Sequence, residues 1–335
     1  MRNIEWNENE EFEPIGNDDD PFNGTFDGNG YTISGLLVDK HGENEVGLFG
    51  AVDDHGIVIN LSVMGDVYGE DNVGGVVGWL GNDSEVNSCC FMGNVYGDEA
   101  VGGVVGRLGD AGATKHDGNA RIISCYHTGS IVGTDDVGGV VGKVFNSNYD
   151  GYGKPTIKNC YHAGYIQASG DGGVTGIHVG GLIGFYENPE IKENDGDDGD
   201  FDFANSYYDS KNSGVKKAVG GTNGFGEDAN CYTNLVQGGM DTFKGVTTEE
   251  LSVLMYGIVD ESGNSLYTAP PTESGQIDGA ESSADVNEES ESMIPDDAKE
   301  AENSVYEEKQ EQKIEEDTTT KVNYYPQLSI FVQDE

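Results

Sequence analysis

Basic residues are scarce in this chain. Lys and Arg together number 17 in 335 residues, against 62 Asp and Glu, for a formal charge of −45. Nucleic acids and anionic lipid surfaces bind through basic patches that displace counterions, so neither is expected as a partner. Long apolar runs are missing too; none approaches the ~20 residues that span a bilayer, and no membrane insertion is expected. Met1-Arg2-Asn3-Ile4-Glu5 lacks the apolar stretch of a secretory signal, which suits a chain kept inside the cell or a trimmed segment of a longer one. The five cysteines include no Cys-x-x-Cys pair, which argues against a zinc cluster. There is no His-Glu-x-x-His, no Ser/His/Asp signature and no phosphate-binding loop, so no catalytic residue is assigned. Strong acidity instead favours solubility and attracts cations.

Glycine is abundant, at 52 residues, and its placement is periodic. Val73-Gly74-Gly75-Val76-Val77-Gly78 returns at Val101 to Gly106, at Val137 to Gly142 and, as Val-Gly-Gly-Leu-Ile-Gly, at Val179 to Gly184. Val46-Gly47-Leu48-Phe49-Gly50 is a degenerate first copy. A unit this short cannot bury its own apolar face, so copies must stack and share one core. Between them runs a second motif ending at Gly65, Gly93, Gly129 and Gly164. Counting back from that glycine gives a column of Leu61, Cys89, Cys125 and Cys160, preceded by Asn60, Ser88, Ser124 and Asn159, and further back by Val58, Val86, Ile122 and Ile157. Two positions after it stand Val67, Val95, Ile131 and Ile166. Columns of like residues predict strands stacked ~4.8 Å apart in parallel sheets. Apolar columns point inward, the Asn/Ser column marks a corner, and the glycines permit positive φ or close approach there. The expected fold is all-β, a right-handed parallel β-helix or β-solenoid, the hand following from strand twist.

The period grows from 27 and 28 residues to 36 and then 42, mostly between the Gly-rich strand and the Cys strand. Insertions at residues 107–120, 143–155 and 185–201 therefore project as a rim of loops on one edge. Weaker copies follow, with Ser206 and Cys231 in the Cys column. Thr247-Thr248-Glu249-Glu250 ahead of Leu251, Leu254 and Met255 reads as a capping box that opens a short helix able to cover the last turn. The chain thus divides into a solenoid with its capping helix (1–258), an acidic disordered segment (259–320) and a returning C-terminal strand (321–335).

Ile157-Lys158-Asn159-Cys160-Tyr161-His162-Ala163-Gly164, together with the Val-Gly-Gly-Val-Val-Gly copies, resembles the GLUG-motif repeat of bacterial surface proteins. Phe22 to Leu36 looks like the first turn placed before such repeats, and Tyr325-Pro326-Gln327-Leu328 like their closing element. The resemblance implies a right-handed β-helix in secreted or surface-attached proteins, some adhesin-like, some accessory regions of IgA-type metallopeptidases. It implies an extracellular or cell-surface location, further domains in a longer parent protein, and host or cell-surface proteins or glycans as partners.

The candidate sites are few. Asn194-Asp195-Gly196-Asp197-Asp198-Gly199-Asp200 offers alternating carboxylates, and Asp195, Asp197, Asp198 and Asp200 are the candidate calcium ligands, with a plain solvated acidic loop as the alternative. Asp18-Asp19-Asp20 is a weaker cluster. The cysteine column reads as stacked buried small side chains. His127 and His162 stack in one column and are expected to face solvent, with metal binding as the lesser reading. Tyr126 and Tyr161 are expected to be exposed, where they could stack on sugar rings. No cofactor other than calcium is expected. The function these readings support is a non-catalytic structural or adhesive module, a rigid spacer or binding surface. The alternative is a carbohydrate-active β-helix enzyme, a polysaccharide lyase or hydrolase, which an outward carboxylate cluster with a basic neighbour would favour.

Overall fold

The computed structural model describes residues 2–7, 12–81, 83–109, 119–145, 155–170, 177–187, 202–223, 243–260 and 263–267. All of them belong to one compact unit; a second unit, residues 270–324, lies outside the described set. So do the proposed calcium loop, Cys231 and the returning strand. The described residues are mostly β, arranged in parallel sheets, with one short helix.

Register follows the sequence columns. In a six-stranded parallel sheet Phe49 pairs with Val77, Val77 with Val105, Val105 with Val141, Val141 with Ile183 and Ile183 with Val219. In the largest sheet Val58, Val86, Ile122, Ile157 and Phe203 stack in order, as do Val67, Val95, Ile131 and Ile166. All of these are buried in one continuous core. β-branched side chains suit such strands, because their stiff χ1 packs against the counterpart one strand away.

Two corners use the left-handed backbone. Asn60, Ser88, Ser124, Asn159 and Asn205 have φ between 48° and 57°, so the Asn/Ser column does turn the chain. Glu45, Asn72, Ala100 and Asp136, each just ahead of a Gly-rich copy, form a second such column at 52° to 60°. Glycine is needed elsewhere for closeness. A Cβ on Gly93 would stand 1.7 Å from the Gly65 carbonyl oxygen, and one on Gly129 would stand 1.9 Å from that of Gly93.

The Gly-rich motif is not one strand. It divides between the six-stranded sheet and a four-stranded one containing Val73–Gly74, Glu99–Gly102, Asp135–Gly138 and Val179–Gly180. The break falls at the second glycine. There the missing Cβ leaves room for a ring: Phe91 against Gly75, His127 against Gly103, His162 against Gly139 and Tyr208 against Gly181. The first copy is one residue shorter at this point, and its column holds Val63 in place of a ring.

The cysteines occupy the core. Cys89, Cys125 and Cys160 are free and buried. Each thiol donates to the carbonyl two residues earlier (Asn87, Ile123, Lys158) and faces that of the preceding copy (Val58, Val86, Ile122). Ser206 repeats the local bond, to Ala204.

The helix, α1 (Thr248–Tyr256), opens on the expected capping box: Thr247 Oγ1 accepts from Glu250 N–H, and the Glu250 carboxylate accepts from Thr247 N–H. Its position differs from expectation. Leu251 and Met255 pack with Tyr126, Tyr161, Tyr207 and Cys90, on the outer side of the largest sheet. Tyr267 then lies against Tyr126 and Tyr161, with its hydroxyl donating to Asn159 O at 2.5 Å. A row of outward tyrosines needed covering, and this segment covers it.

Candidate functional site

Two expectations about site residues change. Tyr126 and Tyr161 are buried beneath Tyr267 and α1, so neither presents a ring to a sugar. His127 and His162 are fully buried as well, because the glycine opposite each leaves a ring-sized space inside. Asp18, Asp19 and Asp20 are exposed on a turn shaped by Asn17, whose side-chain oxygen accepts from the Asp19 and Asp20 amides. Asp195, Asp197, Asp198 and Asp200 lie outside the described residues.

The histidine pair is chemically constrained. The two Nδ1 atoms are 3.0 Å apart, and the rings are parallel within 6° with centroids 5.1 Å apart. Parallel rings whose nitrogens approach this closely cannot lie face to face; they meet edge to edge. The outer nitrogens face backbone carbonyls, His127 Nε2 at Gly93 O and His162 Nε2 at Gly164 O. A carbonyl only accepts, so each Nε2 carries hydrogen and the Nδ1 lone pairs confront one another unless one proton lies between them. Burial opposes that proton. It lowers the pKa of His127 to about 4; His162 is held well below the ordinary value by burial and then by the His127 charge.

Polar chemistry concentrates on the outer side of the six-stranded sheet. There Trp79, Arg107, Lys143 and Phe185 occupy successive strands in one register. The Arg107 guanidinium lies 4.7 Å from the Trp79 ring centre, and the Lys143 ammonium 5.5 Å from that of Phe185. Lys143 Nζ also meets Glu99 at 3.1 Å, Asp136 at 3.2 Å and Glu187 at 3.6 Å. The corner ahead of Val137 brings Asp135 and Asp136 to His178, whose Nδ1 is 2.7 Å from Asp136 Oδ1 and 3.3 Å from Asp135 Oδ1. Asp135 Oδ1 accepts the amides of Asp136 and His178, both at 2.8 Å, and the His178 ring lies over Phe185 with centroids 4.3 Å apart.

Burial raises the Asp136 pKa, and the Lys143 charge with the His178 bond offsets only part of that. For Lys143, burial pulls down while Asp136 and Glu99 pull up harder, leaving it above its ordinary value. The cluster was not read from the sequence. One signal was there: one of few cations stands two residues after the Val141 strand start, level with Trp79 and Arg107.

With the geometry in place, comparison with known proteins adds two partial likenesses. The chain is 44% identical over 77 residues to halomucin of Haloquadratum walsbyi, and 39% identical over 69 residues to a Gly-rich membrane protein of Evansella cellulosilytica. These stretches cover 22% and 21% of this chain, but 1% and 8% of the two relatives. The chain therefore matches a small fraction of each relative's length. No family model matches it, and no solved structure matches it. No helix among the described residues is long and apolar enough to cross a membrane.

Proposed function

We propose that the chain is a non-catalytic structural or adhesive module of a cell-surface or secreted protein, built as a right-handed parallel β-helix of GLUG-type repeats. One observation carries the reading: equivalent side chains of successive copies pair strand to strand from Phe49 through Val219 without a slip in order. Such stacking ties each copy only to its neighbours and makes a stiff body whose length scales with copy number. The acidic side chains contribute to it. Asp66 accepts from Asn94 N–H, Asp71 from Glu99 N–H and Asp135 from His178 N–H, so carboxylates bridge one copy to the next. The names of the partial relatives, halomucin and a Gly-rich membrane protein, support a surface setting. The partners on this reading are surface proteins or glycans. Small-angle scattering of the full chain and of a variant lacking residues 73–100 tests it: a module of this kind shortens by one stacking step with its cross-section unchanged. A change in cross-section refutes the stacking. Glycan-array binding, with and without calcium, then separates adhesive from spacer.

A second reading has its own observation. The partly exposed Glu99 and Glu187 and the buried Asp136 surround Lys143, a carboxylate cluster with a basic neighbour of the kind a carbohydrate-active β-helix enzyme would use. Against it, Lys143 is engaged by all three carboxylates. Incubation with acidic and neutral polysaccharides, followed by reducing-end and unsaturated-product assays, decides the matter; chain cleavage lost in Lys143→Met would establish the enzyme.

A further inference from the structure

We propose that Asp135, Asp136 and His178 form a binding site for a divalent first-row transition metal ion on the outer corner of the sheet. The inference goes beyond the module reading and does not depend on it.

One ligand atom from each of the three residues lies within 4.8 Å of the other two. With metal–ligand bonds of ~2.1 Å, adjacent ligands of an octahedral ion stand about 3.0 Å apart. The His178 Nδ1–Asp136 Oδ1 separation of 2.7 Å is close to that spacing, and the Asp135 carboxylate reaches within 3.3 Å of the same nitrogen. One imidazole with two carboxylates selects zinc, manganese, cobalt or nickel over calcium, which takes oxygen ligands.

Ligating carboxylates are normally held by further hydrogen bonds. Asp135 Oδ1 receives two backbone amides, which fill its lone-pair sites and leave Oδ2 to meet an ion, and Asp136 is held by Lys143 on its Oδ2. The His178 ring is seated on Phe185. Exposure rises across the triad, from 4% for the Asp136 side chain through 14% for His178 to 32% for Asp135, so an ion can enter from the Asp135 side while Asp136 forms the floor.

Three carboxylates, Glu99, Asp136 and Glu187, share one ammonium, Lys143, and the Asp135 carboxylate adds a fourth negative charge beside the His178 nitrogen that Asp136 meets. Lys143 meets Asp136 through Oδ2 while His178 meets it through Oδ1, and the ammonium is shared with Glu99 and Glu187. The Asp135/Asp136 side is left with uncompensated negative charge in a half-buried corner, where a divalent ion replaces the proton between His178 Nδ1 and Asp136.

The test uses the full chain without a histidine tag. Cobalt(II) is titrated while its visible ligand-field bands are recorded, and melting is followed with zinc or calcium added. The expected result is one saturable cobalt spectrum per chain and a melting rise with zinc that equal calcium does not give. Asp135→Asn keeps the oxygen that accepts the two amides and removes the charge; His178→Phe keeps the ring over Phe185 and removes the nitrogen. Each should weaken cobalt binding more than about tenfold, the loss that even an outer-shell partner produces. Absence of a saturable spectrum in the wild-type chain overturns the proposal. So does a spectrum that either folded variant retains at wild-type affinity, which would assign the binding to the acidic surface at large. If one variant fails to fold, the other and the wild-type titration still decide. The scattering test above is indifferent to all these outcomes, so the two proposals fail separately.

Discussion

His127 and His162 meet Nδ1 to Nδ1 at 3.0 Å with neither ring exposed. The groups acting on the pair are each other, the Gly93 and Gly164 carbonyls, and the parallel Phe91 ring. The native state therefore resists a proton that the unfolded chain accepts.

Stability should fall as pH drops from the unfolded histidine pKa of ~6.5 towards 4. A His pKa lowered by folding gives this sign: the unfolded state binds more protons in that window. For His127, taken from 6.5 to about 4, the loss is roughly 3 kcal/mol; His162 adds its own loss from the same starting pH and continues it further down. Phe fits this column already, as Phe91 does over Gly75. A double variant, His127→Phe with His162→Phe, should therefore gain on the wild type as pH falls. Denaturant unfolding at pH 7, 6, 5 and 4 measures the difference; parallel curves would show that the pair does not titrate as a buried unit.

Gly93→Ala should destabilise by about 3 kcal/mol or more, because the new carbon would meet the Gly65 oxygen at 1.7 Å and backbone must move. Gly257→Ala is the control. It sits at φ −70° with its nearest atom at 3.3 Å, and should change stability by less than about 0.5 kcal/mol. Urea midpoints of the two variants check both values.

Ser88→Asn should stabilise by roughly 0.5–1 kcal/mol. Ser88 holds φ 53°, a left-handed conformation that Asn tolerates better than Ser. Asn60, Asn159 and Asn205 occupy the same column at nearly the same angle. A melting temperature below wild type would mean that the Ser88 hydroxyl bond to Asn87, at 3.0 Å, outweighs the backbone preference.

These outcomes follow from features that recur, and recurrence is why they were legible. Val58, Val86, Ile122 and Ile157 announce an inward column because each needs the same neighbour one copy away. The Asn60–Ser88–Ser124–Asn159 corner was visible for the same reason. Hidden features were those that occur once or reach across the period. The Lys143 cluster joins three carboxylates from three copies and repeats nowhere among the described residues. The second glycine was taken as part of a strand, since its partner ring lies elsewhere in the repeat: Phe91 stands 16 positions after Gly75. Tyr126 and Tyr161 looked exposed because their cover, Tyr267, is more than 100 residues away in sequence.

That cover supplies the last prediction. Tyr267 is fully buried against Tyr126 and Tyr161, and burial holds its hydroxyl and that of Tyr126 well above the ordinary tyrosine pKa. Tyr267→Ala removes a large ring and the bond to Asn159 O, a loss of about 3–5 kcal/mol if the gap stays open. The segment from α1 to Tyr267 lies on a sheet completed without it, so the loss should appear as local opening before the core unfolds. Tyr126 should then ionise near the ordinary value of ~10. In the wild type it stays neutral while the unfolded chain would ionise, so stability declines as pH rises above ~10. Ultraviolet titration of wild type and variant reads this directly: the variant should gain tyrosines that ionise reversibly near pH 10 while β-sheet circular dichroism is unchanged. Loss of the β signal at the same pH would show that the cover is integral to the sheet and cannot lift from it.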